Sequence, residues 1–367
     1  MKFLDEFRDV ETAQRLIDQI GNRCTRSWVL MDVCGGQTHG LVRSGIEREL
    51  AGTVELIHGP GCPVCVTSTQ SIDFAVALSL RPKTIVATFG DMIRVPGGDG
   101  SLMQARGRGG DLQMVYSPMD AVELASAKPD HEVIFLAVGF ETTTPATALA
   151  VMQADQLGLS NFSIVASHVR VLPAMEAIMA MPDCRVEGFL AAGHVCSITG
   201  HDVYEPFVRQ HQLPVVVTGF EPLDLLEGIL RTVTLLESSR PVVDNRYGRG
   251  VQKHGNAAAQ SLIETVYEVD DCDWRGFGTI ADGGYRLRSR YEAFDASRKF
   301  ESMTTSHHHN DRGCHAADVL SGRIKPKQCP AFGKTCTPES PLGAPMVSGE
   351  GACAAYYRFE PISIETP

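Results

Sequence analysis

The sequence predicts an α/β protein, with two small parallel-sheet domains facing across a cleft and a third, C-terminal domain behind them. Three observations lead there. Short, apolar, β-branched runs recur between Arg26 and Glu237, and each ends in a Gly-containing turn. A helix-like stretch follows nearly every run. The runs are continuously apolar, the pattern of parallel strands covered on both faces.

The units follow in order. "WVLMDV" opens into "CGGQTHG" and the helix-like "LVRSGIEREL". "VELI" runs into "HGPGCPVC" and "STQSIDFAVALSL", and "TIVATF" into "GDMIRVPGG". "EVIFLAV" leads to "GFETTTP" and a helix, "FSIVAS" to "HVRVLP", "VEGFLAA" to "GHVCSITG", and "LPVVVT" to "GFEPLDLLEGILRTVTLLE". Gly-Phe-Glu recurs at 139–141 and 219–221, directly after a strand each time, which favours two facing units over one large sheet. The expected domains are 25–120, 121–237 and 238–367. The N-terminal helix, within 1–24, is expected to pack on the last. "RVPGGDGSLMQARGRGGDLQ" is expected to be a mobile flap; it holds no G-x-x-x-x-G-K-[ST] phosphate loop.

Bulk properties exclude several functions. The net charge of −11 argues against binding nucleic acid or anionic membranes. The start, "MKFLDEFRDVETAQRLIDQI", mixes acids with apolar residues, as an amphipathic helix does and a signal peptide does not. Apolar runs such as "VIFLAVGF" fall far short of the ~18 residues that span a bilayer. A soluble, cytoplasmic protein is expected. Eleven cysteines in such a setting point to metal ligands or redox thiols more than to structural disulfides.

Polar residues gather just after the strands: Cys34, His39, His58, Cys62, Cys65, Asp91, Glu141, His168, His194 and Glu221. In parallel sheets these positions share the carboxyl edge, where such folds bind ligands. Cys62 and Cys65 form a C-x-x-C at the start of a short helix, where the helix dipole favours a thiolate. They could be a reversible dithiol, two metal ligands or two structural, buried thiols. Cys34 sits at a Gly-Gly turn, either as a thiolate holding a ligand or as a small buried residue. His194 is a candidate ligand or a satisfied core histidine, and Cys196 could be either. Asp91 and Glu141 could orient a ligand or move a proton, with helix capping as the default for both. Cys24, Cys184 and Cys272 are expected to be structural, and "SHHHN" at 306–310 a solvated loop.

The tail holds Cys314, Cys329, Cys336 and Cys353, spaced C-x14-C-x6-C-x16-C. Four thiolates in Pro- and Gly-rich loops suit a tetrahedral zinc or a cubane iron–sulfur cluster. Wide spacing and the small residues of "SGEGACAAYYR" tilt towards the cluster, because backbone N–H groups can then approach its sulfur.

Taken together, "MDVCGGQTH", "HGPGCPVCVT", "TFGDMIRVPG", "GFETTTP", "GHVCSITG" and "CPAFGKTCTPESPLGAPMVSGEGACAAYYRF" resemble the HypD family of hydrogenase maturation factors. The resemblance runs from Met31 to Phe359. It implies assembly of the Fe(CN)2(CO) unit of [NiFe]-hydrogenases by a redox-active scaffold more than by a turnover enzyme. Implied partners are a HypC-type chaperone and the cyanide carrier HypE, with no nucleic acid or membrane; the chain would be a monomer alone and a hetero-complex at work. By the same resemblance, Cys314, Cys329, Cys336 and Cys353 would hold a [4Fe–4S] cluster. Cys34 would bind the mononuclear iron that acquires CN and CO, with Cys62 and Cys65 as a redox pair beside it, in possible contact with that iron. His194, Asp91 and Glu141 would line the same cleft. A purely structural iron-binding scaffold is the alternative.

Overall fold

The computed structural model describes residues 7–303 and 313–360. Its strands, in chain order, are β1 (Trp28–Asp32), β2 (Val54–His58), β3 (Thr84–Thr88), β4 (Asp111–Met114), β5 (Glu132–Gly139), β6 (Phe162–His168), β7 (Gly188–Ala192), β8 (Val215–Thr218), β9 (Val243–Asn245), β10 (Tyr267–Trp274) and β11 (Gly278–Leu287). Two sheets are parallel throughout: a five-stranded one, β2–β1–β7–β8–β9, and a four-stranded one, β4–β3–β5–β6. The last two strands make an antiparallel hairpin. The α/β class and the paired parallel sheets are as the apolar runs predict. β3, β7 and β8 are buried along their whole length, as strands covered on both faces must be. The two Gly-Phe-Glu motifs close one strand in each sheet, β5 and β8.

Sheet membership departs from the expected consecutive domains. β1 and β2 join β7, β8 and β9, whereas β3 and β4 join β5 and β6. A boundary between residues 120 and 121 would cut both sheets. The physical reason is that parallel strands are linked by crossovers, so a run of apolar residues carries no record of its neighbour.

The region after residue 238 is likewise shared out. β9 extends the five-stranded sheet. Ile263, Val266, Tyr267, Leu287 and Tyr291 join the core of the four-stranded one. From residue 313 onward the chain is irregular, with short helices at Ala316–Leu320 and Ala352–Phe359. The latter packs on helix Gly35–Arg43. The N-terminal helix Val10–Arg23 does not pack there. It lies on helix Pro222–Glu237, and Ile20 shares a core with Leu226, Ile229 and Val233.

The expected flap is folded. Ser101 and Gln104 form a capping box that starts helix Leu102–Gly107, and β4 follows as an edge strand. Arg94 ties this segment to the tail through the carbonyls of Pro338, at 3.3 Å, and Val347, at 3.0 Å. Among the described residues, no helix is long and apolar enough to cross a membrane.

Ile20→Ala removes a side chain buried between the first helix and the five-stranded sheet. It should cost about 2–5 kcal/mol in urea unfolding. A loss below about 1 kcal/mol would contradict the packing of this helix on that sheet.

Candidate functional site

The carboxyl ends of β1, β2 and β7 are neighbours, and they gather the sulfur chemistry. Cys34 follows β1 and starts helix Gly35–Arg43. The backbone is crowded there: the Gly35 N–H donates to the Gly61 carbonyl at 2.9 Å, and any Cβ on Gly61 would overlap the Cys34 main chain. Only glycine lets the two turns touch. His194 follows β7, with its Nδ1 3.6 Å from Cys34 Sγ and its ring on Phe220. Burial pushes the Cys34 thiol far up, and the charges of Glu350 and Asp32 add to the effect. Burial also lowers His194 to about 4, so its ring is neutral at pH 7. A neutral imidazole beside a thiol is a metal-ready pair: a tetrahedral ion would hold such donors about 3.5 Å apart.

Cys62 and Cys65 are joined as a disulfide. Cys62 is the N-cap of the one-turn helix Pro63–Val66 and Cys65 lies within it, while Pro63 supplies the fixed φ of a first turn. Both are buried, in the same apolar cluster as Cys34, Cys196, Phe140 and Trp274. The bond leaves neither sulfur as a simple thiolate ligand in this structure.

Glu141 follows β5 on the other sheet. It does not cap the next helix. Its Oε1 accepts the Val171 N–H, at the start of helix Val171–Met179, at 3.1 Å. Its Oε2 is buried without a partner, and burial raises the carboxyl to about 7. Its charge reaches Cys196 and Tyr204, which lie on the five-stranded side. The facing edges are therefore a packed seam more than an open cleft: Cys34 is 1% exposed and Glu141 5%. His168 ends β6 with its Nε2 near Thr147 Oγ1 and is lowered to about 3 by burial.

Asp91 stands apart. It is exposed, accepts a hydrogen bond from Ser348 at 3.0 Å and lies near Glu350. Glu350 in turn lies against Gly35. Asp91 thus reaches Cys34 only by way of the tail. His39 also meets the tail, at the Gly349 carbonyl.

A polar network that sequence reasoning missed surrounds His58. Its Nδ1 meets Asp32 Oδ2 at 2.5 Å, and its Nε2 meets the Tyr356 hydroxyl at 3.1 Å and Glu47 at 3.5 Å. Tyr356 donates to Glu47, which also pairs with Lys325. Burial opposes a charged ring, but Asp32 and then Glu47 outweigh it and raise His58 to about 9. Burial of Glu47 is similarly outweighed by His58 and Lys325, and its carboxyl falls to about 2. An acid inside the apolar run "WVLMDV" was the available signal.

Cys314, Cys329, Cys336 and Cys353 line one cavity with Leu342 and Gly343. The Leu342 N–H points at Cys336 Sγ, 3.4 Å away. Burial pushes Cys353 far up, reinforced by negative charge on the other three sulfurs. Such crowding of thiolates is relieved by a cationic centre, so the donor set fits an iron–sulfur cluster. Among the described residues, no three His, Cys, Asp or Glu side chains are already converged on a single ion. Cys24, Cys184 and Cys272 lie half-buried. The triple-His stretch within 306–310 lies outside the described residues.

Comparison with known proteins decides the family. The HypD model, described as "Hydrogenase formation hypA family", matches residues 11–360. The chain belongs to the HypD family. Hydrogenase maturation factor HypD of Rhodobacter capsulatus is 44% identical over 370 residues, 98% of each chain. The HypD of Azotobacter vinelandii is 44% identical, covering 98% of this chain and 97% of its own. That of Escherichia coli K12 is 42% identical over 98% of each. A role in hydrogenase maturation follows for this HypD chain, and the sulfur-lined seam is its candidate site.

The His58 pair makes stability depend on pH. Folding raises His58 from 6.5 to about 9. Its contribution is complete below pH 6.5, shrinks as the unfolded chain alone loses the proton, and is gone above pH 9. Urea unfolding of the natural chain should show stability falling across that window, and His58→Gln should flatten the slope. An equal slope in both proteins would contradict the buried ion pair.

Proposed function

We propose that this chain is the scaffold on which the Fe(CN)2(CO) unit of [NiFe]-hydrogenases is assembled, with a HypC-type chaperone, from cyanide delivered as thiocyanate on HypE. One observation carries the redox half of this reading. The disulfide helix Pro63–Val66 packs directly on Ala344–Met346, whose Pro345 and Met346 line the four-cysteine cavity. A [4Fe–4S] cluster held by Cys314, Cys329, Cys336 and Cys353 would supply electrons singly, one chain thickness from the dithiol. The ring of sulfurs around a cavity, without convergence on one point, favours a cubane over zinc.

The steps balance on this chain's own groups. Cyanide release takes two electrons and one proton: R–S–CN + 2e− + H+ gives R–SH + CN−. Reduced Cys62 and Cys65 supply both electrons, closing their disulfide and losing two protons, of which one goes to the carrier thiol. The other goes to Glu141, whose carboxyl is poised near neutrality. Cys34 holds the iron that receives the cyanide, with the neutral His194 in reach as a second donor. A thiolate suits iron that will carry CN and CO. Asp91 and Glu350 give an acidic rim. The setting is the cytoplasm, as a monomer that works in a hetero-complex. A single disulfide among eleven cysteines accords with a reducing compartment.

The test is infrared spectroscopy of anaerobically co-purified complex. Cys34→Ser should abolish the CN and CO bands and the associated iron. Cys62→Ala and Cys65→Ala should keep the iron and lose the CN bands at least tenfold. Normal bands in the last two variants would leave a purely structural iron-binding scaffold. Cys336→Ser should remove acid-labile sulfide; zinc with no sulfide in the natural chain would overturn the cluster.

A further inference from the structure

We infer that His58 is a positioning residue that clamps the Cys62–Cys65 loop and the cysteine-bearing tail into one rigid frame. This rests on the redox reading above for its purpose, though not for its geometry.

The geometry begins at the sheet edge. His58 ends β2 directly opposite Asp32, which ends β1. Thr38 donates to the second Asp32 oxygen at 2.5 Å, so this carboxylate is held on both sides. Three residues, Gly59 to Gly61, then lead to Cys62. They are pressed against β1: the Gly59 N–H donates to the Asp32 carbonyl at 2.8 Å, and Gly61 accepts from Gly35. The loop therefore starts from a histidine whose ring cannot turn without breaking an ion pair.

The other face of that ring belongs to the tail. Tyr356, bonded to His58 Nε2, lies one helical turn beyond Cys353 on helix Ala352–Phe359. Lys325, bonded to Glu47 beside the same ring nitrogen, comes four residues before Cys329. Two separate stretches that supply cavity cysteines thus converge on a single imidazole. The ring also packs edge-on against Tyr356, with centroids 5.5 Å apart.

Plain stability explains this poorly. Taking a carboxylate and an imidazolium out of water costs several kcal/mol per ion, and apolar replacements are often as stable. The best-attested use of such pairs is to fix register. Here, the parts held in register are a dithiol loop and a four-cysteine cavity, which also touch through Pro63–Val66 and Ala344–Met346. Electron exchange between two centres needs a fixed short separation, and neither irregular segment has a sheet of its own to provide it.

The deciding variant is Tyr356→Phe in the full-length, anaerobically purified chain, which deletes one oxygen and leaves the ring. Two readouts are taken: amide hydrogen exchange, and the Cys62–Cys65 equilibrium in glutathione buffers. Exchange over 59–66 and over 352–359 should accelerate together, roughly tenfold or more, with β5 and β6 unchanged. The disulfide should become easier to reduce by at least tenfold in its equilibrium constant, about 30 mV. Tyr357→Phe, one residue along, should alter neither. His58→Gln should reproduce Tyr356→Phe if it folds; Tyr356→Phe decides alone if it does not. Faster exchange confined to 352–359, or a disulfide equilibrium within threefold of the natural chain, overturns the clamp. Iron and acid-labile sulfide are measured on the same samples. A natural chain without them defeats the redox reading, and the exchange data still judge the clamp.

Discussion

The parallel register of β1 organises everything at the site. β1 lies between β2 and β7, with Asp32 opposite both His58 and Leu190. That one alignment puts Cys34, the His58–Cys65 loop and His194 at a common edge, although they come from three distant parts of the chain. A slip of one residue would turn every side chain of the strand to the other face. The buried apolar neighbours of β1, Leu56 and Ile57 on β2 and Phe189 and Leu190 on β7, forbid such a slip, so the core specifies the site.

The second constraint is dryness. Cys34, Cys62 and Cys65 are each 2% exposed or less. Burial keeps the Cys34 thiol protonated and His194 neutral, so the pair rests uncharged. Cys353 in the tail faces a related problem, since negative charge on Cys314, Cys336 and Cys329 adds to burial in raising its thiol. At both sites burial disfavours charge on sulfur. His58 is the exception, a charge held in the interior at neutral pH because Asp32 and Glu47 flank it.

Much of this was legible in the sequence, and the misses have identifiable causes. Runs such as "TIVATF" and "VIFLAV" show buried strands because no polar residue interrupts them, and the chemistry follows each run because loops at a carboxyl edge must. Strand order was not legible: nothing in "VEGFLAA" says that it lies beside "WVLMD" and not beside "FSIVAS". The N-terminal helix was amphipathic on inspection, but its apolar stripe does not name the surface it meets. The glycines of residues 94–113 masked a Ser101–Gln104 capping box, so a folded segment read as a flap. The His58 network was half visible: the acid in "WVLMDV" marks one end, but Tyr356 lies 298 residues away from His58 in the chain. Glu141 looked like a local cap, and its true partner, Val171, is 30 residues on.

The central claim is that the four tail cysteines and the buried disulfide form one connected electron store beside Cys34. An anaerobic reductive titration of the oxidised full-length chain tests it most directly, with electrons counted by coulometry, and thiols by alkylation and mass spectrometry. The account predicts uptake of three electrons in all, one by a cluster with its own paramagnetic signal and two that release Cys62 and Cys65 as thiols. Uptake of two electrons with no cluster signal, or a cluster that reduces while the Cys62–Cys65 bond stays closed, would contradict it.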